Sequence, residues 1–270
     1  MTIFESITLG AVQGITEFLP VSSSGHLQLA KELMGVTLTD NLTFDVALHA
    51  GTVCSTILIL WSEIWDIVKG FFNFSKLNEA HRFVIKIVIS MIPVAIVGFT
   101  CKSYIERILN SQQNILVVGV MLLLTALLLL FAHRTPVEKG AGKAITYRDA
   151  FIIGLSQAAA VMPGLSRSGT TIATGIMLGR DRAAVAQFSF IMVLAPIIGN
   201  TLLDLIKGGG AIEIAGVSST AIAAGFISSF IVGAAACKAM IEIVKRRKLI
   251  YFAIYCATAG VISITAYILR

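Results

Sequence analysis

QGITEFLPVSSSGH, from Gln13 to His26, decides how the rest of the chain is read. It sets an amide, a carboxylate, three serines, a glycine and a histidine inside sequence that is otherwise apolar. Glu17 follows Gln13 by one helical turn, so the two side chains share a helix face. Pro20 then interrupts that helix, because it has no N–H to donate and its ring collides with the preceding turn. The hydroxyls of Ser22, Ser23 and Ser24 therefore fall at a break, where any of them can cap a helix expected to restart at Leu27. Exposed N–H groups, the Gly25 backbone and the positive end of the helix dipole all favour an anion there. Capping alone would account for the serines but not for Glu17. A carboxylate within an apolar span costs about 2.5–3.5 kcal/mol on insertion scales, which calls for a partner or a task.

The surrounding composition is that of a polytopic membrane protein. Of 270 residues, 56% are hydrophobic and 13% charged, and the mean hydropathy is +0.87. No basic region precedes the first apolar stretch, which carries Glu5, so the sequence predicts no cleavable signal peptide. The formal charge is +6, but the basic residues are scattered among connections without an aromatic-interleaved stripe, which argues against a nucleic-acid partner. Cys54, Cys101, Cys237 and Cys256 lie in apolar stretches without metal-ligand spacing, and are expected to be buried free thiols.

Taken in order, residues 2–35 read as a re-entrant hairpin, since neither arm has the roughly 20 apolar residues of a comfortable span. Irregular backbone at depth is tolerated where it lines an enclosed or watery cavity. Spans follow at about 44–61, 83–101 and 115–131, the second carrying Pro93, which is expected to kink it. A polar connection with Gly140 and Gly142 then marks the boundary between halves. The second half repeats the order, with a broken hairpin at 147–178 and spans at about 188–206, 217–237 and 249–269.

An offset of 144 positions aligns Gly10 with Gly154, Gln13 with Gln157, Ser22 with Ser166, Ser24 with Ser168 and Gly25 with Gly169. Ser23 falls opposite Arg167. The chain thus reads as an all-α polytopic protein of two repeats, 1–135 and 145–270, each a hairpin plus three spans. An odd number of spans per half makes the repeat inverted. If the N-terminus is outside, the 21 basic residues divide 15 inside to 5 outside, with Arg167 left out at the second break. That bias places both termini, and the opening of the first hairpin, on the outer face.

The second break, MPGLSRSGTT from Met162 to Thr171, supplies the cation that the first lacks. Arg167 offers a planar fork of donors suited to phosphate. Ser166, Ser168, Thr170 and Thr171 surround it with hydroxyls, and Gly164 and Gly169 allow close backbone approach. A structural ion pair between Arg167 and Glu17 is the simpler use of both charges, and either use has the breaks meet. His26 can serve as general acid, general base or nucleophile. Gln13 can orient water or a metal-bound phosphate, or simply make a polar helix contact.

GAVQGITEFLPVSSSGH at 10–26 and PGLSRSGTT at 163–171 resemble the two signature motifs of the undecaprenyl pyrophosphate phosphatase family, also called bacitracin-resistance proteins. The similarity in length, hydropathy and duplicated hairpins covers essentially the whole chain. It implies a multi-pass hydrolase of the bacterial inner membrane that converts undecaprenyl pyrophosphate to the monophosphate carrier recycled in cell-wall synthesis. It also implies a divalent cation, Mg²⁺ or Ca²⁺. In the family's acidic motif, Glu or Gln precedes Glu by four residues, so Gln13 here leaves one carboxylate, Glu17, as the anionic metal ligand.

By matching positions, the resemblance assigns Arg167 to the pyrophosphate and Ser22, Ser166, Ser168 and Thr171 to phosphate oxygens. Ser24, Gly25, Gly164 and Gly169 complete the two binding loops. Ser23 and His26 are nucleophile candidates, with Ser23 favoured, His26 as its proton-transfer partner, and attack by water as the third route. Expected partners are the polyprenyl pyrophosphate lipid and the membrane, and the sequence leaves a homo-oligomer open. The competing function is a transporter or flippase for a lipid-linked phosphate, since inverted repeats with broken helices also build transporters.

Overall fold

Apolar runs with polar caps at their starts fold here into helices. The computed structural model describes residues 1–36, 41–73, 78–101, 107, 114–136, 143–207 and 217–269, and among these the only β-structure is a bridge between Lys143 and Arg180. The helices are α1 (Ile3–Phe18), α2 (Ser23–Leu33), α3 (Asn41–Ile59), α4 (Trp61–Phe71), α5 (Glu79–Thr100), α6 (Asn114–Arg134), α7 (Tyr147–Ala159), α8 (Arg167–Met177), α9 (Arg182–Lys207), α10 (Ser219–Lys245) and α11 (Ile250–Ile268).

Length separates arms from spans. The 16, 11, 13 and 11 residues of α1, α2, α7 and α8 give about 16–24 Å each, short of a hydrocarbon core of about 30 Å. Among the described residues five helices are long and apolar enough to cross: α5, α6, α9 over Arg182–Gly199, α10 and α11. A sixth span arises among the described residues if α3 and α4, bent by 80° at their junction, count as one. The chain is therefore an all-helical, multi-pass membrane protein. Apolar faces turned outward fit that solvent: α5 buries Ser90 and Pro93, while Val88, Ile92, Ile96 and Phe99 are exposed. Pro93 lies inside that one helix. The four cysteines are free thiols, buried at Cys237 and Cys256 and half-buried at Cys54 and Cys101.

The chain forms two compact units that do not follow its halves. The first comprises 1–19, 23–60 and 193–240. Its core is Leu9, Leu27, Phe44 and Leu48, with Val217 and Ile222 packed against it. Close approach of α1 and α3 to α10 is made by small residues: a Cβ on Gly14 would lie 2.7 Å from the Gly233 nitrogen, and one on Gly51 2.7 Å from the Phe226 carbonyl oxygen. Serine hydroxyls tie the same helices together, with Ser228 donating to Ile7 at 2.7 Å, Ser229 to Leu48 at 2.7 Å, Ser55 to Phe230 at 2.7 Å and Ser6 to Ala221. Small residues and hydroxyl bonds are how helices associate where lipid removes the hydrophobic drive.

The second unit comprises 20–22, 61–192 and 241–270. Gly119 and Gly260 let α6 and α11 touch, and Gly154 sets α7 on the Ser90 backbone of α5. At its polar end, Arg180 grips Asp149 at 2.8 and 3.1 Å. Arg182 and Arg247 donate to the Thr135 carbonyl at 3.4 and 3.0 Å, closing the C-terminal end of α6.

Candidate functional site

The first break begins where Pro20 stops α1, whose last bond is Leu19 N–H to the Ile15 carbonyl at 3.2 Å. Ser22 then takes φ 71°, a left-handed conformation that is unusual for a residue with a side chain. This reversal lets α2 start at Ser23, four residues before the restart expected at Leu27. Ser23 therefore stands in the first turn, and its Oγ donates to Glu17 Oε2 at 2.8 Å. Gln13 Nε2 donates to the same oxygen at 3.0 Å, as one helical turn allows. Gln13 is fully buried, and its Oε1 has no hydrogen-bond partner among the described residues. His26 is half-buried on α2, and Ser24 is exposed.

Three polar residues that the sequence reading left out join this cluster in the first unit. His49 on α3 brings Nε2 to 3.7 Å from Glu17 Oε2, and its Nδ1 lies 2.8 Å from the Asp45 carbonyl oxygen. Asp45 in turn holds the buried Lys31 of α2 at 2.6 Å. A signal was present: Asp45, His49, Thr52 and Thr56 recur at helical spacing along an otherwise apolar span.

The second break forms within the second unit. After α7, Gly164 adopts φ 89°, and a Cβ there would strike the Val118 backbone at 2.7 Å, so only glycine fits. Ser166 caps α8, its Oγ accepting from Gly169 N–H at 3.1 Å while its own N–H donates to Thr125 Oγ1 at 3.1 Å. Thr171 donates to the Arg167 carbonyl at 3.0 Å, and the Ser166 and Ser168 hydroxyls are 3.4 Å apart. Several hydroxyls expected on phosphate thus serve the helix start, which presents Arg167 as the first helical residue. That position combines a fixed cation with N-terminal N–H groups and the positive end of the dipole.

Residues 20–22 of the first break belong to this same unit. A Cβ on Gly169 would meet the Pro20 Cβ at 2.9 Å, and Cys256 Sγ donates to the Pro20 carbonyl at 3.2 Å. Pro20 therefore lies against α8 two residues from Arg167. Glu17, Ser23 and His26 belong to the first unit, Ser22 and Arg167 to the second.

Among the described residues no group of three or more His, Cys, Asp and Glu side chains is fit to hold a metal. The first unit sets the Ser23 hydroxyl on the Glu17 carboxylate, and the second places Arg167 at a helix start. Residues 6–262 match the bacitracin resistance protein BacA family. The chain belongs to that family.

Its BacA relatives match from end to end. An undecaprenyl-diphosphatase of Parabacteroides distasonis is 51% identical over the whole of both chains. Undecaprenyl-diphosphatases of Bacteroides thetaiotaomicron and Bacteroides fragilis are each 52% identical, covering 96–97% of this chain and 97% of their own. Both motifs quoted above fall inside the matched region of the BacA family, so the resemblance read from them holds at full length.

Proposed function

We propose that this protein is an undecaprenyl-diphosphatase, cleaving undecaprenyl diphosphate to undecaprenyl phosphate and inorganic phosphate and so recycling the lipid carrier of cell-wall synthesis. The observation that carries the reading is the 2.8 Å hydrogen bond from Ser23 Oγ to Glu17 Oε2. Anion binding for transport needs no nucleophile seated on a base, and the relatives' names leave the transporter alternative without support.

Ser23 Oγ attacks the terminal phosphorus, its proton passing to Glu17 as the new O–P bond forms and the bond to the bridging oxygen breaks. Undecaprenyl phosphate leaves. Water then attacks the phosphoserine, giving a proton to His26, as the P–O bond to serine breaks and the proton held on Glu17 returns to Ser23 Oγ, releasing inorganic phosphate. Arg167 and the first N–H groups of α8 hold the diphosphate and the charge that develops on it. The motif resemblance assigns Ser22, Ser166, Ser168 and Thr171 to phosphate oxygens, with Ser24, Gly25, Gly164 and Gly169 in the same two loops.

Glu17 would hold the divalent cation that the family resemblance implies, Mg²⁺ or Ca²⁺, and the Gln13 Oε1, buried with no partner among the described residues, is the other oxygen of this motif that could join it. Bound there, the cation would neutralise diphosphate charge.

The same reading takes the fold as an inverted repeat of six spans in the bacterial inner membrane, with both termini outside. Its support is the recurrence of local structure at the 144-residue offset. Thr2 with Glu5 and Thr146 with Asp149 form matching capping boxes. Gly10 and Gly154 each approach a neighbouring backbone, and Gln13 and Gln157 each bury an Oε1 with no partner among the described residues.

The test is phosphate release from undecaprenyl diphosphate by purified protein in detergent. Glu17→Gln is expected to lose about 10²–10⁴-fold in kcat, and Ser23→Ala and Arg167→Ala at least as much. Rapidly quenched wild-type samples should carry phosphate on Ser23. Absence of release where the lipid demonstrably binds would sink the enzyme reading.

A further inference from the structure

Two guanidiniums meet on one carbonyl at the end of α6. Arg182, the first residue of α9, donates from Nη2 to the Ala132 and Thr135 carbonyls at 3.2 and 3.4 Å, and Arg247 donates to the same Thr135 carbonyl at 3.0 Å. Arginine stays charged in proteins, and neither side chain meets a carboxylate among the described residues. The acids nearest them in sequence are engaged elsewhere: Asp181 accepts from Ala184 N–H at 2.8 Å, and Glu242 holds Arg246 at 2.6 Å. Arg182 Nη1 is closed off from water with no hydrogen-bond partner among the described residues. Like charges gathered on a neutral oxygen, with a donor nitrogen left over, form an arrangement that an anion completes. Arg247 is exposed, which leaves the pair open on that side.

The backbone holds Arg247 in place at a cost. Its φ is 61°, a left-handed conformation unfavourable for a residue with a side chain, and such strain persists only where the surroundings fix it. Here its N–H donates to the Val244 carbonyl at 3.2 Å, its carbonyl accepts from His133 Nδ1 at 2.9 Å, and its guanidinium reaches Thr135.

We propose that Arg182 and Arg247 bind the phosphate group of an anionic phospholipid. Phosphate oxygens match the planar donor forks of guanidinium. The pair stands at the ends of α6, α9 and α11, three helices long and apolar enough to cross a membrane, and span ends lie at headgroup depth. Phe131, one turn before Thr135, and Tyr251, one turn after Arg247, are exposed and offer acyl chains an apolar surface. Exposed Arg134, Lys245, Arg246 and Lys248 favour a lipid with net negative charge over a zwitterionic one, whose ammonium they repel. The site uses neither Arg167 nor the Ser23 hairpin, so it stands apart from the phosphatase reading.

Native mass spectrometry of lipid retained by the purified full-length protein tests this, with phosphatidylglycerol and phosphatidylcholine titrated separately in an uncharged detergent. Wild type is expected to retain phosphatidylglycerol in preference. Arg247→Gly suits the left-handed backbone and should fold. It should weaken phosphatidylglycerol retention about fivefold, and adding Arg182→Gln should bring the loss to about thirtyfold. Arg246→Gln removes an equal charge that Glu242 already holds, and should change retention by no more than about twofold. Equal losses in Arg246→Gln and Arg247→Gly would mean diffuse attraction and would overturn the site. Equal retention of the two lipids by wild type would overturn it too. Inorganic phosphate that then raises the melting temperature of wild type, but not of Arg247→Gly, would reassign the pair to free phosphate.

Discussion

Asp149 stands at the polar start of α7, outside every span, with its carboxylate nearly closed off from water. Burial raises its pKa, but two hydrogen bonds from Thr146 at 2.6 Å and the Arg180 guanidinium at 2.8 and 3.1 Å outweigh it and hold the group below the usual carboxylate range. A depressed folded-state pKa contributes stability that is present above the unfolded value, about 3.9, and is lost as pH falls through the lower folded value. Asp149→Asn leaves the half-buried Arg180 guanidinium without its counter-charge and is expected to cost about 1–3 kcal/mol at pH 7. Thermal unfolding in detergent should show the gap between variant and wild type narrowing below about pH 4. At this scale the sequence was readable where chemistry is local. Gln13 and Glu17 meet because one turn separates them, and Ser23 reaches Glu17 across one proline break. His49 was not readable in the same way, because its distance from Glu17 depends on how α3 packs beside α1, and no local spacing encodes that.

Helices pack in the first unit through absences of side chain. Valine at Gly14 would place its Cβ 2.7 and 2.8 Å from the Gly233 nitrogen and Ser229 carbonyl oxygen, backbone atoms that cannot turn aside. Gly14→Val should therefore force α1 from α10, costing at least the 1–3 kcal/mol or so of an overpacked core and moving Glu17 with it. Lower melting temperature and lower kcat together are the expected readout. Gly98→Ala, on α5 with nothing within 4 Å, should be neutral or gain up to about 1 kcal/mol from helix propensity. Positions of helices were legible because apolar runs and caps are local. The start of α2 was not: the serines read as caps before Leu27, whereas the left-handed Ser22 turns the chain early and draws Ser23 into the helix. The 80° bend between α3 and α4 was likewise hidden, since the sequence there shows a span followed by an amphipathic segment and no breaker between them.

The proposed inverted repeat of six spans would set the Arg134 end of α6 and the C-terminal end of α11 on opposite faces, because three crossings and a re-entrant hairpin would separate them. In that proposal charge chooses which face is which: positive residues are retained on the cytoplasmic side, and the 15-to-5 division of the counted lysines and arginines favours the Arg134 end inside. The choice has a functional consequence, since the first hairpin would then open outward and take substrate from that side. Single cysteines separate the two statements, one replacing the exposed Arg134 and one added after Arg270, with the four native cysteines changed to alanine. In intact cells a membrane-impermeant maleimide should label the C-terminal cysteine, and should reach position 134 only after permeabilisation. Labelling of both from outside would mean an even number of crossings between them and would remove the inverted repeat. Labelling at 134 alone would keep the repeat and reverse the molecule, turning the Ser23 hairpin towards the cytoplasm.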